Sequence, residues 1–515
     1  MRIKKVIIKI LGTACCLSTS LAIAGDSIGQ YEAQRFLSQA TFGATANDIQ
    51  KVRKTGFEPW INQQFKIAKR LDRSKSYMGH LALTQHIARQ AEPDYEGYQA
   101  VIFNRADAKN DVLNYQMAAW WEHSLGGHPK RSQHGQDQLR QRTAYALSQL
   151  FVVSSSEALL RRRAEGLAHF YDILVHNSFG NFRDLLYDVS TSPAMGVYLS
   201  HRNNRKANVK TGTRPDENYA RELMQLFTIG LYELNIDGSL NNDGNPLTIN
   251  DNASRPLPAY EQHDVEELAK IMTGWTLADQ RFGKSGAKRG NYARPMQFFE
   301  QFHEQERAEK GDGLVTVLGH TINLRKGDGQ DHLNQALDIL FAHPNVGPFV
   351  SKHLIQRLVT SNPSKAYIQR VATVFNNNGK DVRGDMKATL KAVLLDVEAR
   401  QTPKNEQFGQ VKEPLLAFTQ FLRAFNGQPG IHYNKALAYW FNQPERYIGQ
   451  AALRSPTVFN FFSPEFVPND DSFKSEMRSA PEMEIQQNSE LINFNNVIFR
   501  TLFNNDKAKI QKRQT

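Results

Sequence analysis

The sequence has almost no cysteine. Of 515 residues only Cys15 and Cys16 are cysteine, and both lie within the first 24. The rest of the chain therefore has no disulfide, no thiolate nucleophile, no cysteine metal site and no haem-attachment motif. Long apolar runs are missing too. After residue 24 no stretch approaches the roughly 20 apolar residues of a membrane span, so no transmembrane anchor is expected. There is no H-E-x-x-H zinc signature, no phosphate-binding loop and no G-x-G-x-x-G turn after a strand. No recognised nucleic-acid-binding motif occurs, which argues against nucleic acid as a partner. The sequence leaves any cofactor unknown.

Acids are absent from two stretches. Residues 201–214 carry Arg202, Arg205, Lys206, Lys210 and Arg214, and residues 281–294 carry Arg281, Lys284, Lys288, Arg289 and Arg294. The formal net charge is +11, of which Arg2, Lys4, Lys5 and Lys9 belong to the first 24 residues. The remaining charge is smaller than that of the two basic stretches, so the rest of the chain is slightly acidic. Such concentration suits an anionic polymer, although two solvated loops are the plainer reading.

The first residues read as an export signal. Arg2, Lys4 and Lys5 precede an apolar stretch from Val6 to Ile23, which ends in the small-x-small pattern Ala22-Ile23-Ala24. Residues 1–24 are expected to be a signal peptide cut before Gly25, leaving residues 25–515 periplasmic or extracellular.

Apolar spacing predicts helices along most of the remainder. Thr45 caps one that Gly56 closes, and Asp137 opens another with a polar stripe of Gln138, Arg142, Tyr145 and Gln149. Asp216 is expected to cap a third that runs to Gly230, and residues 264–273, 351–359, 364–375, 384–395 and 414–425 continue the pattern. Ser479-Ala-Pro-Glu482 reads as a capping box for the last long helix. Residues 234–260 are the exception. Rich in Asn, Asp, Gly and Pro, they predict a small β-hairpin or loop excursion. The expected fold is mainly α, a multi-helix globular array in one family-wide region, with a division into two packed subdomains placed near 234–260.

Several dense polar–aromatic segments resemble the bacterial exported family catalogued as domain of unknown function 1800. Arg35-Phe-Leu-Ser-Gln-Ala-Thr-Phe-Gly43 is similar to its opening motif. Asp137-Gln-Leu-Arg-Gln-Arg142 with Ala146-Leu-Ser-Gln149, Asn177 to Asp184, Ser192 to His201 and Thr273-Gly-Trp275 follow in the family's order. So do Leu354 to Pro363 and Ser463-Pro464, while Pro215-Asp-Glu-Asn-Tyr-Ala-Arg-Glu222 is the most distinctive. The resemblance covers essentially the whole chain after residue 24. It implies an exported bacterial protein, often encoded beside a sulfatase-like partner of the family numbered 1501, and supplies no agreed activity. The chain departs from the pattern at His303-Glu304, where the family often has His-Asp.

Glu217 and Arg221 stand four apart on a predicted helix, and Glu222 borders its apolar face. These three are the candidate catalytic residues, and a structural ion-pair network is the alternative reading. Arg140, Arg142, Tyr219 and His201 are the candidate substrate-binding residues, with the two arginines as expected partners of Glu222. His263, Asp264 and His303 are weak metal candidates. Trp120 and Trp121 suit core packing better than a sugar groove. Two functions follow: a cell-envelope or extracellular hydrolase acting on an anionic polymer, or a non-catalytic helical binding or assembly protein acting with the sulfatase-like partner.

Overall fold

The computed structural model describes residues 28–91, 111–126, 131–246, 254–283, 290–304, 313–401, 408–427, 443–476, 478–486 and 488–503. The expected signal peptide lies outside the described residues. The chain is mainly α, and the strands described form three two-stranded antiparallel sheets. One apolar core gathers residues from Ala33 to Val497. No helix among the described residues is long and apolar enough to cross a membrane.

Local chemistry sets the helix ends. Thr45 Oγ1 accepts the Asp48 N–H at 3.1 Å, while Asp48 Oδ2 accepts the Thr45 N–H at 3.3 Å, a reciprocal cap that opens Ala46–Thr55. Gly56, at φ +90°, ends that helix as expected. Ser364 caps Lys365–Asn376 through the Tyr367 N–H, and Asp385 caps Met386–Leu395 through those of Lys387 and Ala388. Each cap satisfies N–H groups that have no partner in the helix itself.

The helix Gln138–Ser148 lies at the centre, and every residue in it is buried. It packs against Gln30–Ala40, Phe57–Asp72, Asp111–Leu125, Ala164–Asn177 and Val346–Leu358. Its polar stripe therefore cannot reach water and must find partners inside. Trp120 and Trp121 are core residues: their rings meet edge-on at 5.1 Å, and the Trp120 indole donates to Tyr171 Oη at 3.0 Å.

Several expected boundaries differ, and the helix expected over 351–359 already begins at Val346. The helix expected from an Asp216 cap to Gly230 runs only over Asn218–Gln225; its N-cap is Glu217, and Asp216 Oδ1 accepts the Asn218 N–H at 2.9 Å just ahead of it. Beyond it the Phe227 and Ile229 N–H groups bond five residues back, to Glu222 and Met224, and the Thr228 hydroxyl takes the Leu223 carbonyl at 2.6 Å. These wide turns carry the chain to Gly230. Ser479-Ala-Pro-Glu482 does not open the last long helix, which spans Asn488–Phe503. Asn362 takes both backbone groups of Ser479, at 2.9 and 2.8 Å, and Glu482 turns into the core.

The 234–260 excursion contains the antiparallel strands Asn242–Pro246 and Ser254–Pro256. Asn345 ties it down. Its amide donates to Ile229 O at 2.7 Å and Tyr232 O at 2.8 Å, and its oxygen accepts the Leu234 N–H at 2.9 Å.

Candidate functional site

The expected catalytic residues share one helix but face different surroundings. Glu217 and Arg221 form a half-exposed ion pair at 3.0 Å, and the Gln262 side chain bridges both at 2.9 Å. Glu222 is buried, and its Oε2 has no hydrogen-bond partner among the described residues. Burial pushes its pKa up against the opposing pull of Arg221. The pairing of Glu222 with Arg140 or Arg142 is not formed. Arg140 is held by Asp137 at 2.7 Å and Asp72 at 2.5 Å. Arg142 donates to Arg357 O at 2.5 Å and lies in the field of Glu413. Both arginines sit on a helix whose own surroundings supply their acceptors.

Tyr219 and His201 stack at 4.0 Å, both buried. His201 Nε2 lies 2.8 Å from Ser190 O, which only the Nε2–H tautomer can bond, and the Tyr219 hydroxyl lies 2.6 Å from Ser190 Oγ. Burial holds the His201 pKa at about 4, so this imidazole is neutral at pH 7. The pair fastens helices together and leaves Arg140 and Arg142 to other clusters.

The metal candidates also part company. His263 is exposed. Asp264 accepts the Leu318 N–H at 2.7 Å and the Glu261 N–H at 2.9 Å, which makes it a cap. His303 is buried between Thr273 and His332, with Nδ1 3.0 Å from Thr273 O and Nε2 2.8 Å from His332 Nδ1. Among the described residues no group of three or more His, Cys, Asp or Glu side chains is arranged to hold a metal ion.

The two basic stretches are distant in sequence and adjacent in the fold. Asn203 Oδ1 accepts the Gly283 N–H at 3.1 Å and the Thr276 hydroxyl at 2.7 Å, which joins the start of one stretch to the other. The Arg205 guanidinium lies 5.5 Å from the ring centroids of both Phe282 and Phe302. Glu304 Oε2 accepts the Ala207 N–H at 2.8 Å, so the lengthened acid of the His-Glu departure anchors this basic segment. Asn204 closes the far side, bonding both backbone groups of Asp216 at 2.7 and 3.0 Å. Arg205, Lys206, Lys210, Arg214 and Arg281 are left exposed on the joined surface. Arg294 pairs with Asp279 at 3.4 Å. Lys284, Lys288 and Arg289 lie outside the described residues.

Two buried polar clusters were not foreseen. In the first, His123 stacks on His80 at 4.2 Å and lies 4.6 Å from His134, beside Glu122, Asp137 and Arg140. In the second, Glu413 Oε2 accepts from Tyr145, Gln149 and Gln450 at 2.9, 2.7 and 2.6 Å. Glu482, raised to about 7 by burial and by Glu413, lies in the same field as Arg357. Three of the motif segments that carry the family resemblance meet here, through Arg142, Gln149, Arg357 and Ser361. The signal for both clusters was a helix apolar on one side and polar on the other with no surface to face.

No curated protein and no solved structure matches the chain. A family model described as Protein of unknown function (DUF1800) matches residues 35–513, nearly the whole chain, and the protein belongs to that family.

Proposed function

We propose that this chain is an exported bacterial protein that binds an anionic polymer through the surface joined by Asn203. The observation that carries this reading is the joining at Asn203 of two acid-free stretches, 80 residues apart, which together keep five exposed cations. Arg205 is steadied against two aromatic rings, so part of the ordering cost is met before any ligand arrives.

The test is titration of the chain from Gly25 with dextran sulfate and with polygalacturonate, at low salt and again at about 0.5 M, where charges more than about 4–5 Å apart are screened. Binding is expected at low salt and lost at high salt. The triple variant Lys206→Ala, Lys210→Ala, Arg214→Ala is expected to weaken it roughly tenfold, a few tenths of a kcal/mol per exposed contact. Equal binding by variant and wild type would overturn the reading.

Hydrolysis is the second reading. It is favoured by the raised pKa of Glu222 on the helix that follows the first basic stretch. If it holds, the bound polymer is shortened, and Glu222→Gln stops the shortening without weakening binding. A polymer left intact by wild-type protein points instead to binding or assembly, for which the sulfatase-like partner implied by the resemblance is the next ligand to titrate.

A further inference from the structure

A cleft of about 330 Å³ opens beside the segment that follows the central helix. That size is at the small end for ligand pockets, about 300–1,000 Å³. Arg161, Arg446 and Arg454 border it, with Ser155 and Ser455 between them. The acid that lines it, Glu445, is held by Arg454 at 2.8 and 2.9 Å, so the lining keeps a positive balance. Arg161 is braced by its bond to Ser155 O at 3.1 Å, and Arg446 is exposed.

Ser455 also lines a second cavity, of about 10 Å³, together with Tyr145, Gln149 and Asn460. Such a space holds about one water or one hydroxyl. Two of its lining residues, 6% and 7% exposed, carry buried groups with no hydrogen-bond partner among the described residues, Gln149 Oε1 and Asn460 Nδ2. The orientation of Gln149 follows from its neighbour. Gln149 Nε2 donates to Glu413, and an ionised carboxylate only accepts, so the amide oxygen must be the end left over. The cavity thus offers one acceptor and one donor, the complement of a hydroxyl.

The loop that shapes both spaces is strained. Leu453 has φ of +58°, a left-handed value that costs leucine about 1–3 kcal/mol and is found at functional sites, while Asn460, at +69°, is a residue that adopts this region readily. The Leu453 carbonyl is fixed by the Ser155 N–H at 3.0 Å, which locks the loop to the cleft wall.

We propose that this cleft binds a small hydroxylated anion, of the sugar-acid or sugar-phosphate kind. Its charged group sits at Arg446 and Arg161, and one hydroxyl reaches past Ser455 to Gln149 and Asn460. The proposal is independent of polymer binding at the joined basic surface, and neither test decides the other.

The experiment is calorimetric titration of the chain from Gly25 with galacturonate, glucose 6-phosphate, glucose and inorganic phosphate. Saturable binding of galacturonate or glucose 6-phosphate is expected, and the preferred one distinguishes carboxylate from phosphate. Glucose and inorganic phosphate, each lacking half of the contacts, are expected to bind at least about tenfold more weakly. Arg446→Ala, at an exposed position, is expected to cost roughly tenfold in affinity with an unchanged melting temperature. Asn460→Gly keeps the left-handed backbone and removes the amide, so it is expected to weaken galacturonate but not inorganic phosphate. No saturable binding of either sugar anion up to about 10 mM would overturn the proposal. So would inorganic phosphate binding as well as glucose 6-phosphate, or both variants binding like wild type.

Discussion

Arg142 is fully buried, and its partners decide what its loss should do. Its Nη2 donates to Arg357 O, while Nε and Nη1 have no partner among the described residues. The nearest opposing charge in its field is Glu413, and burial depresses its pKa against that pull. Removing one member of such a group strands the other in a medium that cannot solvate it, at roughly 3–5 kcal/mol. Arg142→Ala and Glu413→Ala are each expected to destabilise the fold on that scale. Their double mutant should lose clearly less than the sum. Arg142→Ala combined with Glu222→Ala should instead be additive within about 0.5 kcal/mol, since the two sit in different surroundings. Denaturant melts of wild type, the three single variants and the two double variants decide it. Coupling to Glu222 and none to Glu413 would show that the wrong carboxylate has been assigned to Arg142.

At the level of elements, the 234–260 excursion hangs on one side chain. Asn345→Ala removes three hydrogen bonds to Ile229, Tyr232 and Leu234, and strands backbone groups that cost about 1–3 kcal/mol each when buried without partners. A loss on the order of 3 kcal/mol is expected, with faster amide exchange at Leu234 and little change in the Gln138–Ser148 helix. Equal exchange in variant and wild type would place the anchor elsewhere. The excursion itself was legible, because Asn, Asp, Gly and Pro leave a helix no way to propagate. So were the helix ends at Thr45 and Gly56, where one residue and its neighbours decide the outcome. Long-range partners were not. Nothing local to Asn345 points to Tyr232, and nothing local to Asn203 points to Gly283. The Ser479 to Glu482 capping box failed for the same reason: Asn362, 117 residues away, competes for Ser479. The candidate site was legible as charge in two stretches and illegible as one surface. Glu222 was correctly placed at an apolar border, but its partner depended on which helices cross at the centre.

For the molecule as a whole, buried imidazoles set the response to acid. Burial holds His80, His201 and His303 at about 4 and His353 at about 3, and pushes His123 well below its ordinary value, against 6.5 in an unfolded chain. Between pH 6.5 and 4 the unfolded chain therefore binds protons that the folded one refuses, and stability falls as pH falls. Two buried carboxyls act the other way. Glu482 is raised from 4.5 to about 7 and Asp172 from 3.8 to about 6, so the folded chain takes their protons first and their contribution grows on acidification. Five imidazoles against two carboxyls leave roughly three protons, or about 4 kcal/mol per pH unit. Two such units, about 8 kcal/mol, exhaust a fold in the lower half of the usual range of about 5–15 kcal/mol. The helical circular dichroism signal is expected to hold at pH 7 and to collapse cooperatively near about pH 4–5. His123 is the sharpest probe, because it is fully buried and its ring stacks on His80. His123→Phe keeps an aromatic ring in the stack and removes one proton from the difference, so the acid midpoint should move lower. A chain that keeps its helical signal to about pH 3, or a His123→Phe midpoint equal to wild type, would mean that these imidazoles take up protons inside the folded protein.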